Sequence, residues 1–542
     1  MQRWNGWGDE RVSYPLTDSA VRYLEEKLGA GSLLPDVGFE EVLAAVPYSR
    51  LASYPLINKD PEDRMRHARG QSLPDWIALR SGRITNFPDG VAYPGSEEEV
   101  RELIDLAIER DINLIPYGGG TSVLGHINPP EDRPSLTVDL RRLNRLLNLD
   151  KTSRLATLEA GLRGPQIENL LRKQGFTLGH FPQSFEYSSL GGWIATRSSG
   201  QQSDYYGKIE NLFAGGHVES PAGPMDIPEI PASAAGPDLR QVILGSEGRL
   251  GVITQGTMRI RPIPEAEGFY GVFFRNWRAG VDAIRQFAQS DLPLSMVRLS
   301  DAQETETTLR LSEKEGLMKW ADRGMRLLGY RAERSLLVFA VTGKPKEAAR
   351  ARDRAYTIAK KHGALIAASE MLGEEWRRKR FRVPYLRNTL WERGYALDTL
   401  ETAVLWSEVQ AATADIKKTI SEASTRENRP VLVFSHISHV YPDGASIYVT
   451  YIYPCAEDPN ETLEHWRVLK TAASETILAH GGTISHQHGV GRDHIPFLQK
   501  EKGEVGVSAI KALCEAFDPP GILNQGILLQ RQNVQESDGT TR

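Results

Sequence analysis

The stretch that decides the fold runs from Leu114 to Val123 and reads LIPYGGGTSV. An apolar run ends there in three consecutive glycines, which are followed by two hydroxyl side chains. Glycine lets the backbone turn freely and lets a ligand approach it closely. The bare amide groups of such a turn can converge on an anion such as a pyrophosphate. The triplet alone is equally compatible with a plain tight turn, so the flanking sequence decides between the two.

The residues before this stretch predict a strand, a capped helix and a second strand. Ser96 is a good N-cap, and Glu99 follows at the spacing of a capping box. Apolar residues then repeat at helical spacing through Ala107. The pattern differs from the Rossmann fingerprint, in which the glycines follow a strand and open a helix. Here the loop runs on to Pro129 and Pro130, which cannot continue a helix.

Two further segments downstream are rich in glycine and other small residues. They span residues 179–200 and 244–254, so the glycines of the three segments lie within about 130 residues. Small residues at this density indicate backbone that is pressed against a large flat ligand.

Together the three segments resemble the FAD-binding domain of the vanillyl-alcohol-oxidase (PCMH-type) flavoproteins. The resemblance implies an α+β fold: a two-subdomain PCMH-type FAD-binding domain, an α+β cap domain and a helical N-terminal segment. Many members attach the flavin to a histidine in the first glycine loop. Thr121 follows the glycines here, so the resemblance implies non-covalent FAD. The FAD-lining residues that it implies are Pro116, Tyr117, Gly118, Gly119, Gly120, Thr121, Ser122, Gln183, Ser184, Ser189, Gly192, Thr196, Ser199, Glu247, Gly248, Leu250, Gly251 and Ile253.

The chain divides into five predicted segments. They are a helical N-terminal segment (1–83) that packs around the flavin domain, the FAD-binding domain (84–264), the cap domain (265–455), a C-terminal helical region that returns to the flavin site (456–531) and a polar, disordered tail (532–542). Strand candidates in the cap are residues 271–274, 335–341 and 447–453.

The composition is that of a large globular enzyme. Hydrophobic residues make up 40% of the 542 residues and charged residues 25%, with a net charge of −5. This charge gives no support to nucleic-acid binding. Two cysteines provide no disulfide framework and fit a reducing compartment. The sequence has neither a signal-peptide core nor a long apolar run, so we expect a cytoplasmic protein.

Several stretches outside the flavin segments resemble one branch of that family, the alkylglycerone-phosphate (alkyldihydroxyacetonephosphate) synthases, in a bacterial-type form. In chain order they are Arg3–Gly8 (RWNGWG), Gly191–Gly200, Tyr206–Glu210, Met296–Asp301, Tyr385–Asn388, Leu400–Thr402, Asp443–Tyr448 and Ser485–Gly491. The resemblance implies a redox-neutral reaction of ether-lipid synthesis. The acyl chain of acyl-dihydroxyacetone phosphate is exchanged for a fatty alcohol through an adduct on flavin N5. The resemblance also implies a homodimer.

Carried over to this sequence, the resemblance assigns roles to five residues. Arg387 would bind the substrate phosphate, and Tyr448 would be the acid/base. Arg298, His486 and His488 would be needed for activity. Arginine presents a planar fork to phosphate, a buried tyrosine can relay a proton, and histidine titrates near neutral pH.

One departure from the synthase pattern keeps a second function open. The synthases show three consecutive histidines, and the middle position is Gln487 here; glutamine cannot exchange a proton. The alternative is an FAD-dependent oxidase or dehydrogenase of a 2-hydroxy acid, such as D-lactate or glycolate, or of another alcohol. His486 and His488 also allow a metal site with Asp493 or His494, but zinc requires three or four ligands at recognised spacing. We therefore predict no metal.

Two other patterns have ordinary interpretations. His436 and His439 have the pattern of strand histidines without a special role. The basic run Trp376–Arg382 is typical of a solvated helix face. It would otherwise attract an anionic membrane surface and place the protein peripherally on the inner face of the membrane.

Overall fold

The computed structural model describes residues 2–310 and 323–531. The predicted tail lies outside these residues. The described strands are β1 (Ile57–Asn58), β2 (Gly90–Ala92), β3 (Asn113–Tyr117), β4 (Ser135–Asp139), β5 (Leu146–Asp150), β6 (Leu155–Glu159), β7 (Phe176–Thr177), β8 (Phe213–Ser220), β9 (Gly223–Ile227), β10 (Val252–Arg259), β11 (Arg261–Pro262), β12 (Ala266–Phe274), β13 (Met296–Ser300), β14 (Ser335–Gly343), β15 (Tyr395–Leu405), β16 (Leu432–Val440) and β17 (Gly444–Pro454).

The described helices surround these strands. They are α1 (Asp18–Leu28), α2 (Phe39–Ala44), α3 (Pro61–Arg66), α4 (Leu73–Ser81), α5 (Glu97–Arg110), α6 (Gly164–Arg172), α7 (Leu190–Thr196), α8 (Ser203–Tyr206), α9 (Ile209–Leu212), α10 (Leu239–Ile243), α11 (Trp277–Gln289), α12 (Ala302–Arg310), α13 (Pro345–Lys361), α14 (Ser369–Lys379), α15 (Val383–Trp391), α16 (Val409–Arg426), α17 (Pro459–Ala479) and α18 (Ile495–Phe517).

The first flavin subdomain is a four-stranded sheet in the order β1-β2-β4-β3. β2 and β3 both pair parallel with β4, and α5 makes the crossover between them. Ser96 caps α5 by accepting the N–H of Glu99. The Glu99 carboxylate accepts the N–H of Gly95 at 2.6 Å rather than that of Ser96, so the predicted capping box is made only in part. The glycine loop leaves the carboxyl end of β3, where parallel strands commonly meet a ligand.

The second subdomain is a five-stranded antiparallel sheet in the order β5-β6-β10-β8-β9. The third glycine segment leads directly into its central strand, β10. α7 packs on this sheet, and a Cβ on Gly256 would lie 2.9 Å from the Ile194 side chain. The close approach of helix and strand brings the second and third glycine segments to the same side of the subdomain.

The cap is a six-stranded antiparallel sheet in the order β12-β14-β13-β16-β17-β15. The three strand candidates are confirmed, because they lie in β12, β14 and β17. In the ladder, Tyr448 of β17 is paired with Glu401 of β15 on one side and with His436 of β16 on the other. Directly paired residues of neighbouring strands point to the same face, so these three side chains form a row.

The N-terminal segment packs differently from the expectation. β1 adds a strand to the flavin sheet, but Trp7, Leu73 and Trp76 lie in the core of the cap. Their large apolar surfaces are buried there between the two domains, so the segment joins the domains rather than only surrounding the flavin domain. The segment boundaries at residues 84, 265 and 456 stay predictions.

The C-terminal region returns to the first glycine loop. After α18, Leu523 forms a parallel bridge with Leu114 of β3. The N–H of Leu114 donates to the Ile522 carbonyl at 2.7 Å, and the N–H of Asn524 donates to the Leu114 carbonyl at 2.8 Å. The strand that ends in the glycine loop is therefore held on both edges.

Three of the five cations in the basic run Trp376–Arg382 pair with carboxylates within α14. Arg377 pairs with Glu374, and both Arg378 and Lys379 pair with Glu375. This arrangement favours the solvated helix face over an open cationic surface. Within residues 2–310 and 323–531, no helix is both long and apolar enough to cross a membrane.

Candidate active site

A single cavity lies where the glycine segments meet the cap. The flavin-domain residues that line it include eleven of the predicted FAD-lining set: Gly118, Gly119, Gly120, Thr121, Ser122, Gln183, Ser184, Ser189, Gly192, Thr196 and Ser199. From the cap and the C-terminal region come Val383, Pro384, Arg387, Leu397, Asp398, Thr399, Tyr448, Gln487 and His488. Trp7 and Gln71 of the N-terminal segment also line it.

The glycines of the first loop are required by packing. A Cβ on Gly119 would collide with the Tyr187 carbonyl oxygen, and one on Gly118 would collide with the Ser189 hydroxyl. Gly120 has a φ of +67°, in the region that favours glycine. The loop therefore brings bare backbone to the cavity wall.

The residues present fit FAD. The hydroxyl of Ser199 is buried without a hydrogen-bond partner, as expected of a group that awaits a ligand. Gly192 leaves its backbone open, because a Cβ there would meet only Ser189 Oγ, at 3.4 Å. Bare backbone and hydroxyl groups along one wall match the polar phosphates and ring edges of a dinucleotide.

The other seven predicted FAD-lining residues lie outside the cavity. They are Pro116, Tyr117, Glu247, Gly248, Leu250, Gly251 and Ile253. Tyr117, Leu250 and Ile253 are buried in the apolar cores of the flavin domain, so packing explains them. The Glu247 carboxylate accepts the N–H groups of Val490 and Gly491. The third segment thus lies outside the cavity and contacts the C-terminal loop through Glu247.

Arg387 presents an unpaired cationic edge at the cavity. Its Nη1 donates to the Gln71 carbonyl at 2.6 Å, and the guanidinium carbon lies 4.5 Å from the Trp76 ring centroid. Its Nη2 is buried without a partner. Burial lowers the pKa of Arg387, and an arginine nevertheless keeps its charge at neutral pH. A ligand anion fits the free Nη2.

Tyr448 is the acid/base candidate. Its hydroxyl donates to Thr399 Oγ1 at 3.1 Å. Burial raises the pKa of Tyr448 to about 12, so the phenol stays protonated at neutral pH. The ring stacks on His436 at a centroid distance of 4.9 Å, which fixes its position.

Arg298 does not reach the cavity. Its Nη1 donates to Nε2 of His436 at 2.8 Å, and its Nη2 donates to Glu304 at 2.7 Å. Nδ1 of His436 lies 3.0 Å from the same carboxylate oxygen. Burial and the Arg298 charge lower the pKa of His436. Arg298 therefore contacts Tyr448 only through His436, whose ring stacks on the Tyr448 ring.

The two histidines of the C-terminal loop differ in position. His488 lines the cavity, and its ring lies edge-on to Tyr448 at a centroid distance of 5.8 Å. His486 does not line the cavity, and its Nε2 accepts a hydrogen bond from the Tyr441 hydroxyl at 2.5 Å. The His439 ring lies 5.1 Å from the His486 ring in a tilted arrangement.

A second cleft, of about 570 Å³, lies beside Tyr441. Tyr441 and His439 form part of its wall, but none of the three glycine loops reaches it. Its other walls come from residues 203–212 and 259–261. We assign the active site to the cavity at the glycine loops, because it joins those loops to Arg387 and Tyr448, which the second cleft does not.

Comparison with known proteins agrees with this geometry. Residues 88–225 match the family described as FAD binding domain, and residues 263–528 match FAD linked oxidases, C-terminal domain. An alkyldihydroxyacetonephosphate synthase of Dictyostelium discoideum is 33% identical over 86% of this chain and 77% of the relative. The chain belongs to the alkyldihydroxyacetonephosphate synthase family. The corresponding enzyme of Caenorhabditis elegans is 30% identical over 97% of this chain and 95% of its own.

The fold is shared with this family as well. A solved structure of an alkyldihydroxyacetonephosphate synthase superposes with a TM-score of 0.82 at 29% identity, covering 96% of this chain and 98% of the other. The PCMH-type fold with its α+β cap is thereby confirmed, and FAD is the cofactor. Among residues 2–310 and 323–531, no group of three or more His, Cys, Asp or Glu side chains could hold a metal ion.

Sequence reasoning missed three residues of the site. Trp7 was recognised only as part of a motif, Asp398 was not singled out, and Glu401 was quoted only for its spacing. Asp398 lies on the cavity wall and accepts hydrogen bonds from Tyr451 at 3.0 Å and Trp466 at 2.7 Å. A buried carboxylate on a strand leaves no periodic pattern in the sequence. The only sequence signal for Asp398 is the presence of an acidic residue inside an apolar run.

Proposed function

We propose that this protein is an FAD-dependent alkylglycerone-phosphate synthase. It exchanges the acyl chain of acyl-dihydroxyacetone phosphate for a fatty alcohol, without net oxidation or reduction. The observation that carries the proposal is the free Nη2 of Arg387 in the same cavity as Tyr448 and the flavin loops. A phosphate-bearing substrate would pair with this N–H edge, because a buried donor without a hydrogen-bond partner is costly.

Each residue has a role that follows from its position in the cavity. Arg387 holds the phosphate, which fixes the dihydroxyacetone carbons against the cavity wall. FAD held by the glycine loops would supply the nucleophile for the exchange. His488 takes a proton from the carbon next to the ketone and returns one to it after the exchange. Tyr448 donates a hydrogen bond to the departing carboxylate and relays the hydroxyl proton of the incoming alcohol. Gln487 cannot replace the histidine that the synthases show, so His488 is the base of this loop.

The atoms balance without an external oxidant. The bond between the substrate carbon and the ester oxygen breaks, and the fatty acid leaves as a carboxylate. A bond forms between the same carbon and the alcohol oxygen, and the hydroxyl proton of the alcohol is released. A homodimer and peripheral contact with a membrane remain predictions.

The test is an anaerobic visible spectrum of the purified holoprotein mixed with palmitoyl-dihydroxyacetone phosphate, with free palmitate assayed alongside. We expect loss of the oxidised flavin band together with palmitate release. The variant Arg387→Gln should show neither at the same substrate concentration. An unchanged spectrum without palmitate, or bleaching by a 2-hydroxy acid instead, would overturn the proposal in favour of an oxidase or dehydrogenase.

A further inference from the structure

Two buried carboxylates from different domains hold the loop Ser485–Gly491. Glu401 of the cap sheet accepts the Ser485 hydroxyl at 2.9 Å and the backbone N–H of Gln487 at 2.9 Å. It also accepts the backbone N–H groups of His486 and His488, at 2.9 and 3.1 Å. Glu247 of the flavin domain holds the other end of the loop. Glu401 therefore fixes the half of the loop that carries both histidines.

The same Glu401 carboxylate faces both imidazoles. Nδ1 of His486 lies 3.4 Å from one carboxylate oxygen, and Nδ1 of His488 lies 3.6 Å from the other. Glu401 is only 2% exposed, and the hydrogen bonds and nearby histidines hold its pKa far below the ordinary value in spite of burial. It is therefore an anion, and an anion at this distance favours a proton on the Nδ1 that faces it.

The far nitrogens of the two rings have different surroundings. Burial raises the pKa of Tyr441 above its usual range, so this phenol is a donor and occupies Nε2 of His486. In the part of the chain that the structure describes, no protein group hydrogen-bonds to Nε2 of His488, whose ring lines the cavity. His486 is thus held on both sides, whereas His488 has one free acceptor nitrogen.

We propose that Glu401 is the positioning residue that presents Nε2 of His488 to the substrate, and that His486 has a structural role. The proposal rests on the proposed function for the identity of the proton donor, the substrate carbon next to the ketone. The carboxylate–imidazole pair works as a unit: Glu401 fixes the tautomer and stabilises the imidazolium that forms when Nε2 accepts the proton.

Other titratable groups surround His488. They are Lys470 of α17, Asp398 of β15, Tyr448 of β17, His486 of the same loop and His494 at the start of α18. Burial lowers the pKa of His488 and Lys470 lowers it further, whereas Glu401 raises it. The ring is therefore neutral and able to accept a proton at neutral pH, and removal of the Glu401 charge should make it a weaker base.

The variant Glu401→Gln tests the proposal, because an amide oxygen can still accept loop N–H groups but carries no charge. The first readout needs no substrate: the flavin absorbance of the holoprotein is titrated against pH. We expect a transition that is lost in His488→Asn. In Glu401→Gln it should move to lower pH by about one unit, or out of the accessible range. His486→Asn should retain the transition.

Glu247→Gln is the matched control, since it removes a buried charge from the other end of the loop. It should leave the midpoint in place. Flavin content and melting temperature show which variants are folded. A midpoint that is the same in the wild type and in Glu401→Gln overturns the positioning role, whatever the activity of the protein.

The second readout is turnover of palmitoyl-dihydroxyacetone phosphate. In Glu401→Gln we expect kcat to fall about 30-fold with KM within about twofold, and the acid limb of the pH profile to move down with the flavin titration. If the wild type shows the flavin transition but no synthase turnover, the proposed function is wrong, whereas the positioning of His488 by Glu401 is retained. If turnover is present and Glu401→Gln leaves both the acid limb and kcat unchanged, the positioning role of Glu401 is wrong, whereas the proposed function is retained.

Discussion

The side chain of Asn388 binds both backbone polar groups of Trp7. Its Oδ1 accepts the backbone N–H of Trp7 at 3.0 Å, and its Nδ2 donates to the Trp7 carbonyl at 2.9 Å. Arg387 precedes Asn388 on α15, and Trp7 lines the same cavity. One helix thus supplies the candidate phosphate ligand and anchors the N-terminal segment that closes the site.

Loss of this anchor should weaken both the fold and substrate binding. We expect Asn388→Ala to lower the free energy of unfolding by about 2 kcal/mol, because two buried hydrogen bonds are lost. KM for the lipid substrate should rise, since Trp7 no longer has a fixed position. Chemical unfolding and steady-state kinetics measure the two effects. The control is Asn144→Ala, an exposed asparagine, which should change neither; equal effects of the two variants would contradict the prediction.

Arg387 should discriminate between phosphorylated and unphosphorylated substrates. We expect Arg387→Lys to raise KM for palmitoyl-dihydroxyacetone phosphate about tenfold and Arg387→Gln about 100-fold, because lysine keeps the charge but loses the planar fork and the stacking on Trp76. The dephosphorylated analogue should be bound equally by all three proteins. An equal loss for both substrates would mean that Arg387 acts through the fold. Arg378→Gln, on the outer face of α14, is the surface control.

Tyr448 should be required for the proton steps and not for FAD. We expect Tyr448→Phe to lower kcat about 100-fold while flavin content stays the same. Because the pKa of Tyr448 is raised to about 12, its proton is retained as pH rises, and no loss of wild-type activity from its ionisation should occur below about pH 10. Tyr453→Phe on the same strand lies outside the cavity, since its hydroxyl binds the Thr462 carbonyl at 3.2 Å; it should leave kcat near the wild-type value.

Glu304 should make the protein sensitive to acid. Burial opposes its charge, but His436 and Arg298 lower the pKa of Glu304 from 4.5 to about 2. A lowered carboxyl pKa contributes stability above the unfolded value, and this stability is lost as pH falls from 4.5 through 2. The contribution is at most about 3 kcal/mol.

Glu304→Gln should therefore be less stable at pH 7 and show a flatter decline between pH 5 and pH 2, measured by urea unfolding. Glu422→Gln removes an exposed carboxylate 3.8 Å from Lys418 and should retain the wild-type pH dependence. A decline of the same steepness in Glu304→Gln would assign the acid sensitivity to other groups.

The first glycine loop should be intolerant of a single methyl group. Gly119→Ala should fold but lose most of its FAD, because the new Cβ collides with the Tyr187 carbonyl oxygen and displaces the loop. The ratio of flavin to protein absorbance measures the loss. Gly38→Ala is the matched control, since a Cβ there meets nothing within 4 Å. Normal FAD content in Gly119→Ala would show that the loop can move without harm.

Local sequence patterns were sufficient for much of the fold. The capped helix α5, the strand that ends in the glycine triplet and the cap strands β12, β14 and β17 follow from capping residues, helical spacing and β-branched or aromatic runs. These signals act between residues close in the chain, so they can be read without the tertiary structure. The Glu99 carboxylate accepts the N–H of Gly95 instead of the predicted N–H of Ser96, because the turn at Gly95 brings that N–H nearer.

The cavity itself was only partly predictable. The cavity is lined by Arg387, Tyr448 and His488, as the resemblance implies. The side chains of Arg298 and His486 do not line it. The difference depends on strand register and on which face of a strand each residue occupies. Neither can be deduced from motif spacing, because residues more than 100 positions apart must first be paired.

The sequence by itself determined the family, the flavin cofactor and the positions of the glycine loops, since these rest on contiguous residues with strong backbone preferences. Only the tertiary structure decided which charged groups meet. It set Glu401 opposite Tyr448, brought Glu247 to the histidine loop and placed Trp7 against Asn388. Electrostatic and hydrogen-bonded contacts act over a few ångströms in space, whatever the separation along the chain, so folding had to bring these residues together before their chemistry was defined.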